Sequence, residues 1–331
     1  MATSLLQPPT STSPETALRL SQKASSFVNS QSSWLSSLPY PLSLLFSSES
    51  QEKWQVYENL FLACLRTGDN DTAHACLEEL TARFGKANDR VVALTGLYRE
   101  ATAQDDQELA EVMKNYEDIL KDDPTIFSIR KRRAALMRSV GHASEAITAL
   151  TNLLDQSPTD AEAWAELGDL YSEQGSYDQA IYCLEEVVVV TPNAWNMHAR
   201  LGEVIFLSAG RTEGGDQLKA LSESMRRFCR SIELCDDYLR GYYGLKLATD
   251  RLLEVLSNTK KSQQSSADPV NGDLAPPSIS SVKKLNEAAT AKLGEIVRRS
   301  SSGERGWDGY SESELIAARE LLERGTQKIE R

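Results

Sequence analysis

The central part of this sequence repeats with a period of 34 residues, and this period limits the possible folds more than any other feature. Two kinds of position recur at this interval: a proline (Pro124, Pro158 and Pro192) and a smaller apolar residue (Val112, Ala146 and Ala180). Within the last period, four residues form the pattern W-x2-L-G-x2-Y, namely Trp164, Leu167, Gly168 and Tyr171. One match can arise by chance, whereas a shared period at two kinds of position indicates a structural repeat.

This pattern is typical of the tetratricopeptide repeat, a helix–turn–helix unit of about 34 residues. Trp164, Leu167 and Tyr171 fall on one face of a helix. We expect Gly168 and Ala180 where the two helices of a unit approach most closely, because neither carries a large side chain. The prolines, which have no N–H to donate, suit the boundaries between helices. The sequence therefore predicts an all-α fold, a superhelical tetratricopeptide α-solenoid with C-terminal capping helices.

Composition and helical periodicity divide the chain into five segments. A Ser/Thr/Pro-rich start predicts disorder, and a Ser/Pro/Gly-rich stretch after the repeats predicts a flexible linker. The predicted segments are a disordered N-terminus (1–14), an N-terminal helical segment (15–48), the repeat solenoid (49–256), the linker (257–281) and capping helices (282–331).

Two stretches depart from the period of 34 residues. Gly68 precedes Ala73 by five residues, as a glycine does in two later repeats, which identifies a degenerate first repeat. Ala73 and Val112 are 39 residues apart, which predicts a longer loop at 85–89. The glycine-rich stretch 209–217 predicts an expanded turn within a later repeat.

Charge and cysteine content exclude several functional classes. The net charge of −12 argues against general binding of nucleic acid or of anionic lipid, because both attract Lys and Arg. Five scattered cysteines without a framework are typical of reduced, buried thiols in the cytosol. No apolar run approaches the length of a membrane span, and the N-terminus does not resemble a secretory signal. We therefore expect no direct membrane span.

The sequence predicts no enzyme and no cofactor. Three histidines, His74, His142 and His198, lie far apart without metal-ligand spacing. The glycines at 210–215 lack the Lys-Ser/Thr of a phosphate loop. The remaining alternative to a non-enzymatic protein is an enzyme or an enzyme-regulatory module within the terminal regions.

The candidate functional surface is the concave groove of the solenoid. In tetratricopeptide arrays, the second, fifth, ninth and twelfth positions of the first helix of each repeat face this groove. Those positions supply a candidate partner-binding set: Lys131, Arg138, Glu162, Asp169, Asn196, Glu203 and Phe206. The set changes from basic to acidic along the chain, which would orient a bound segment.

A basic cluster at 130–138 stands out in this acidic chain. Four neighbouring cations at 130–133 cannot share one helix face, because successive residues are rotated by about 100°. The cluster is either solvated surface with local acidic partners, or a contact site for an acidic protein segment or lipid headgroups.

The chain resembles subunit 2 of the endoplasmic reticulum membrane protein complex over roughly residues 50–250. The residues that carry the resemblance are Asp123-Pro124-Thr125, Arg130-Lys131-Arg132, Gly141, Glu145-Ala146-Ile147, Glu162-Ala163-Trp164, Glu166-Leu167, Tyr177, Ala180, Cys183-Leu184-Glu185-Glu186, Arg227-Phe228 and Gly244-Leu245. The Ser-rich N-terminus and the 257–281 linker depart from the family pattern.

This resemblance implies a non-enzymatic scaffold, peripheral on the cytoplasmic face of the endoplasmic reticulum membrane. Its partners would be the membrane-embedded and cytosolic subunits of one hetero-oligomeric complex, whose cytosolic loops and tails it would clasp. The assembled complex would insert transmembrane and tail-anchored proteins. The alternative from the residues alone is a free cytosolic tetratricopeptide adaptor that binds diverse peptide segments.

Overall fold

The computed structural model describes residues 5–6, 14–35, 51–259, 277–307 and 309–327. The regular secondary structure of these residues is entirely helical, which confirms the predicted fold class. The helices are α1 (Pro14–Leu35), α2 (Gln51–Thr67), α3 (Asn70–Phe84), α4 (Asp89–Thr102), α5 (Asp106–Asp122), α6 (Phe127–Ser139), α7 (Ala143–Leu154), α8 (Ala161–Glu173), α9 (Tyr177–Val190), α10 (Trp195–Ala209), α11 (Gly214–Leu234), α12 (Leu239–Thr259), α13 (Ile279–Ser301) and α14 (Glu312–Gln327).

The chain forms two compact units, Met1–Leu153 and Leu154–Arg331. In the first unit, α1 packs on the repeat pair α2 and α3, where the Phe27 ring meets the Tyr57 ring edge-on at 5.4 Å. The second unit has one large core that includes residues of α10 to α14. The predicted division into five segments stays a prediction, and residues 1–4, 7–13, 36–50, 260–276, 308 and 328–331 lie outside the described residues.

Glycines with positive φ end the first helices of three repeats. They are Gly68, Gly141 and Gly175, with φ of 78°, 88° and 72°. A residue with a side chain is strained in this conformation, so glycine suits the tight turn into the second helix. Five residues later, each second helix places a fully buried alanine, Ala73, Ala146 or Ala180. The five-residue spacing between glycine and alanine therefore reflects the same turn geometry in all three repeats.

Close packing between the paired helices explains the small residues of the repeat. A Cβ atom added to Gly168 would lie 3.2 Å from Leu184 Cγ and 3.4 Å from Cys183 Cβ, both on α9. A Cβ atom on Gly96 would lie 2.2 Å from the Tyr116 hydroxyl oxygen. The predicted close approach at Gly168 is confirmed, and α4 meets α5 in the same way.

The extra residues of the two irregular repeats lengthen helices, so the predicted loop and turn expansions were wrong. Four residues separate α3 from α4, as four separate α9 from α10. Val112 is instead the seventh residue of α5, whereas Ala180 is the fourth of α9. Similarly, α11 has 21 residues and α9 has 14. Added residues in a helix keep their backbone hydrogen bonds, which a longer surface loop would leave to water.

The C-terminal helices α13 and α14 pack on α12 through apolar side chains that include Leu252, Leu293 and Leu321. A polar network joins α12 to α13: Lys246 Nζ donates to Asp250 Oδ1 at 2.7 Å, and Asn286 Nδ2 donates to the same oxygen at 2.7 Å. Helix α12 continues to Thr259 and α13 begins at Ile279, so helix occupies both ends of the range predicted as a linker.

Candidate functional site: a cavity lined by first helices

A concave cavity of about 600 Å³ lies among the first helices of three successive repeats, α8, α10 and α12. Its lining residues are Ala165, Asp169, Leu184, Asn196, Met197, Ala199, Arg200, Glu203, Phe206, Phe228, Tyr238, Arg240, Tyr243, Gly244 and Leu247. Most of these side chains are apolar or aromatic, and the charged ones come from all three first helices. This combination is typical of a binding site for a protein segment or a small ligand.

Four of the seven predicted groove residues line this cavity: Asp169, Asn196, Glu203 and Phe206. Glu162 lies on the same face of α8 as Asp169, but about 10 Å along the helix axis, and it is outside the lining set. Lys131 and Arg138 lie on α6 in the other compact unit. The structure thus brings Asp169 of α8 together with the predicted residues of α10, and the binding role of these residues stays a prediction.

Arg200 joins the two acidic residues of the cavity. Its Nε donates to Asp169 Oδ1 at 3.0 Å, and its Nη1 donates to Glu203 Oε2 at 2.8 Å. Burial acts to lower the pKa of Arg200, but the hydrogen bond to Glu203 and the charges of Asp169 and Glu203 outweigh it and raise that pKa. Arg200 therefore stays cationic and links α10 to α8 through its ion pair with Asp169.

The third wall of the cavity comes from α12, which contains none of the predicted groove residues. Arg240, Tyr243 and Leu247 are the second, fifth and ninth residues of α12 and line the cavity. Counting the second, fifth and ninth positions from Leu239, the first residue of α12, predicts these three residues from the sequence. The C-terminal helix α14 positions the Arg240 side chain, since Arg240 Nε donates to Glu314 Oε1 at 2.6 Å. Arg200 was missed because it occupies a sixth position, outside the register.

The floor of the cavity is the ring of Phe228 from α11, which is enclosed by two glycines. A Cβ atom on Gly202 of α10 would lie 3.2 Å from Phe228 Cε2, and one on Gly244 of α12 would lie 2.0 Å from Phe228 Cε1. Because neither glycine has a side chain, α10 and α12 both close on the same ring. The ring is 4% exposed and belongs to the core as well as to the cavity.

Three arginines of the basic cluster on α6 have partners within the first unit, and two of these partners are acidic side chains. Arg132 pairs with Glu100, Arg133 Nη2 lies 3.4 Å from Glu117 Oε1, and Arg130 Nη2 donates to the Asn152 carbonyl at 2.9 Å. These contacts favour the interpretation of the cluster as surface with local acidic partners. Lys131 and Arg138 are half-buried, and each also has an interaction partner.

Burial raises the pKa of the Cys183 thiol to about 11, so it is protonated and a poor nucleophile near neutral pH. No group of three His, Cys, Asp or Glu side chains in the described part of the chain could hold a metal ion. Among the helices that the structure describes, none is both long and apolar enough to cross a membrane.

Comparison with known proteins identifies the family. Residues 89–219 match the family model described as the EMC2 TPR-like repeat domain. The chain is 36% identical over 243 residues to the TPR repeat protein oca3 of Schizosaccharomyces pombe, covering 73% of this chain and 82% of the relative. It is 34% identical to ER membrane protein complex subunit 2-A of Xenopus laevis, covering 71% and 74%. It is 26% identical to ER membrane protein complex subunit 2 of Saccharomyces cerevisiae, covering 56% and 66%.

The residues matched by the family model, 89–219, include α4 to α10 and the first residues of α11. The matched family is a tetratricopeptide-like repeat family, in agreement with the helix pairs described above. This membership confirms the predictions of a tetratricopeptide fold and of a scaffold without catalytic activity. The chain belongs to the ER membrane protein complex subunit 2 family.

Proposed function

We propose that this chain is a scaffold subunit of an endoplasmic reticulum membrane protein complex, peripheral on the cytoplasmic face of the membrane. It binds cytosolic loops and tails of the membrane-embedded subunits, and it also contacts a cytosolic subunit. The assembled complex inserts transmembrane and tail-anchored proteins into the membrane. The observation that carries this proposal is the cavity among α8, α10 and α12, in a chain of this family.

The composition of the cavity supports the binding of an extended or helical protein segment. Phe206 and Tyr243, which are partly exposed, offer an apolar surface for one or two apolar side chains of a partner. Around it, Asp169, Arg200 and Glu203 already satisfy one another. A bound segment therefore gains most from apolar burial, at about 25 cal/mol per Å² of buried apolar surface, and less from new ion pairs.

The first experiment is an affinity purification of the tagged full chain from mildly solubilised membranes, with the co-purifying chains identified and quantified by mass spectrometry. We expect a fixed stoichiometric set of multi-span membrane proteins. Recovery of only soluble, substoichiometric partners would overturn the scaffold proposal. That outcome would favour a free adaptor that binds diverse peptide segments.

Neighbouring residues of α10 provide a matched pair of variants for the cavity. Phe206 lines the cavity, whereas Leu207 is 42% exposed and does not. Phe206→Asp places a charge in the apolar part of the cavity and should strongly reduce recovery of the membrane subunits. Leu207→Asp makes the same chemical change next to it and should leave recovery unchanged. Equal loss with both variants would mean that the cavity is not the binding site.

Stability of the purified chain tests obligate assembly separately. A subunit whose partners bind only its folded state gains stability from them by mass action. We expect the isolated chain to unfold at a lower temperature than the chain within the complex. An equal unfolding temperature would favour the free adaptor.

A further inference from the structure

The second helix of the repeat α8–α9 carries an exposed apolar stripe on the side away from the cavity. Tyr182 is 57% exposed and Val189 is 75% exposed. They are seven residues apart, so they share one helix face about 10 Å apart along the axis. Leu184, which lines the cavity, is rotated by about 200° from Tyr182 on the same helix. The stripe therefore faces away from the site described above.

Aromatic packing extends the stripe beyond α9. The Trp164 ring of α8 meets the Tyr182 ring edge-on, with centroids 5.9 Å apart. The Trp164 ring is also oriented by its Nε1 proton, which is donated to the Pro158 carbonyl at 2.9 Å. Trp and Tyr held in this way are typical anchors of protein interfaces, because they bury much area with little loss of side-chain freedom.

The sequence segment that carries this stripe is acidic, although two arginines from other segments approach it: Arg227 of α11 and Arg211, whose guanidinium lies 4.5 Å from the Tyr177 ring centroid. Residues 154–199 contain nine Asp or Glu and no Lys or Arg. Three of these acids share the face of Tyr182 and Val189 by helical spacing: Asp178, Glu185 and Glu186. Glu185 Oε1 lies 3.5 Å from Arg227 Nη2 of α11. Among the described residues, Asp178 and Glu186 make no ion pair.

We propose that this α9 stripe, Tyr182 and Val189 with Asp178 and Glu186, is a docking surface for a basic amphipathic helix of a partner protein. The partner helix presents two apolar side chains about seven residues apart, which contact Tyr182 and Val189. Lys or Arg side chains between and beside them pair with Asp178 and Glu186. This surface acts independently of the cavity, so it does not rest on the proposed binding of membrane-subunit segments there.

Charge complementarity selects this occupant over the alternatives. An anionic membrane surface is repelled by the acids of α9. A second copy of this chain carries a net charge of −12 and is repelled as a whole. A basic helix, in contrast, gains from both the unpaired acids and the exposed apolar pair.

Photo-crosslinking of the full chain in intact cells identifies the occupant, whether or not the chain is part of a membrane complex. A benzoylphenylalanine is placed at Val189 of the full chain, and a second variant carries it at Leu207 as an exposed apolar control on α10. The crosslinked peptide is sequenced by mass spectrometry. We expect position 189 alone to yield a protein segment with net positive charge and apolar residues at helical spacing. An adduct with lipid, with an acidic segment or with a second copy of this chain, or no adduct, would overturn the proposal.

Affinity measurements then test the chemistry of the contact. A labelled synthetic copy of the crosslinked segment is titrated with the full chain by fluorescence anisotropy. Asp178→Lys with Glu186→Lys should weaken binding about tenfold, which corresponds to about 1.4 kcal/mol. A peptide with its Lys and Arg replaced by Glu should regain affinity for this variant. Unchanged affinity, or loss without recovery by the charge-exchanged peptide, would refute the charge pairing.

Discussion

Two glycines enclose the Phe228 ring. We therefore predict that Gly244→Ala changes the free energy of unfolding in opposite directions in the presence and in the absence of this ring. A methyl group added at Gly244 would lie 2.0 Å from Phe228 Cε1 and 2.2 Å from Cζ. On the α10 side, the ring already lies close to the backbone of Gly202, since a Cβ atom added there would lie 3.2 Å from Phe228 Cε2. Such overpacking costs about 1–3 kcal/mol. Alanine in place of glycine inside a helix gains about 1 kcal/mol, so Gly244→Ala should destabilise by up to about 2 kcal/mol net.

Removal of the ring should reverse this effect. Phe228→Ala alone costs about 3–5 kcal/mol, because it deletes a buried aromatic side chain. In the Phe228→Ala background, the methyl group at position 244 meets no ring, and only the helix-propensity gain of about 1 kcal/mol remains. Gly244→Ala should therefore destabilise the parent chain and stabilise the Phe228→Ala chain.

The assay is urea-induced unfolding of the full chain followed by circular dichroism, compared at constant m-value. Gly294→Ala is the control, because Gly294 lies inside α13 and a Cβ atom there would have nothing within 4 Å. This control should stabilise by about 1 kcal/mol in either background. A Gly244→Ala effect of the same sign and size in both backgrounds would refute the steric argument.

Three further predictions concern stability and partner capture. Ala180→Asp places an unpaired charge at a fully buried position and should cost several kcal/mol, seen as loss of the cooperative unfolding transition; normal folding would refute the repeat register. Burial raises the pKa of Cys64 to about 11, so the unfolded chain loses its thiol proton first and the free energy of unfolding should fall as the pH rises from 9.0 towards 11; Cys64→Ala should remove that part of the slope. Charge reversal at Lys131 and Arg138 should weaken partner capture with unchanged circular dichroism, and unchanged co-purification would remove both from the candidate site.

The sequence predicted the helix pairs well because each repeat obeys a local steric rule. Gly175 enters a left-handed turn, and Ala180 follows where only a small side chain fits. Both requirements act within one repeat, so a single period of the sequence contains them. The register also identified Asp169 and Glu203 as cavity residues, because the side of a first helix that faces the groove follows from helical spacing alone.

Features that depend on two or more repeats could not be predicted in this way. Arg200 reaches Asp169 of the preceding first helix, and this contact depends on how α10 is rotated against α8. Likewise, the spacing between Gly202 and Phe228 shows that this repeat is longer than the others, but it does not show whether the additional residues lie in a turn or in a helix. The structure places most of them in α11, as additional helical turns.

The two candidate surfaces of the second unit differ in how their charges are satisfied, and this difference determines how each should respond to salt. In the cavity, Asp169 and Glu203 are already paired with Arg200 at 2.8 Å, so a bound segment exchanges few ionic contacts there. On α9, Asp178 and Glu186 have no ion-pair partner among the described residues, so their contribution to binding is a direct and solvent-exposed attraction. Exposed attractions are screened beyond about 8 Å at physiological ionic strength and weaken further as salt is added, whereas apolar burial does not. A partner held by both surfaces should therefore separate first from α9 as the salt concentration rises, and last from the cavity.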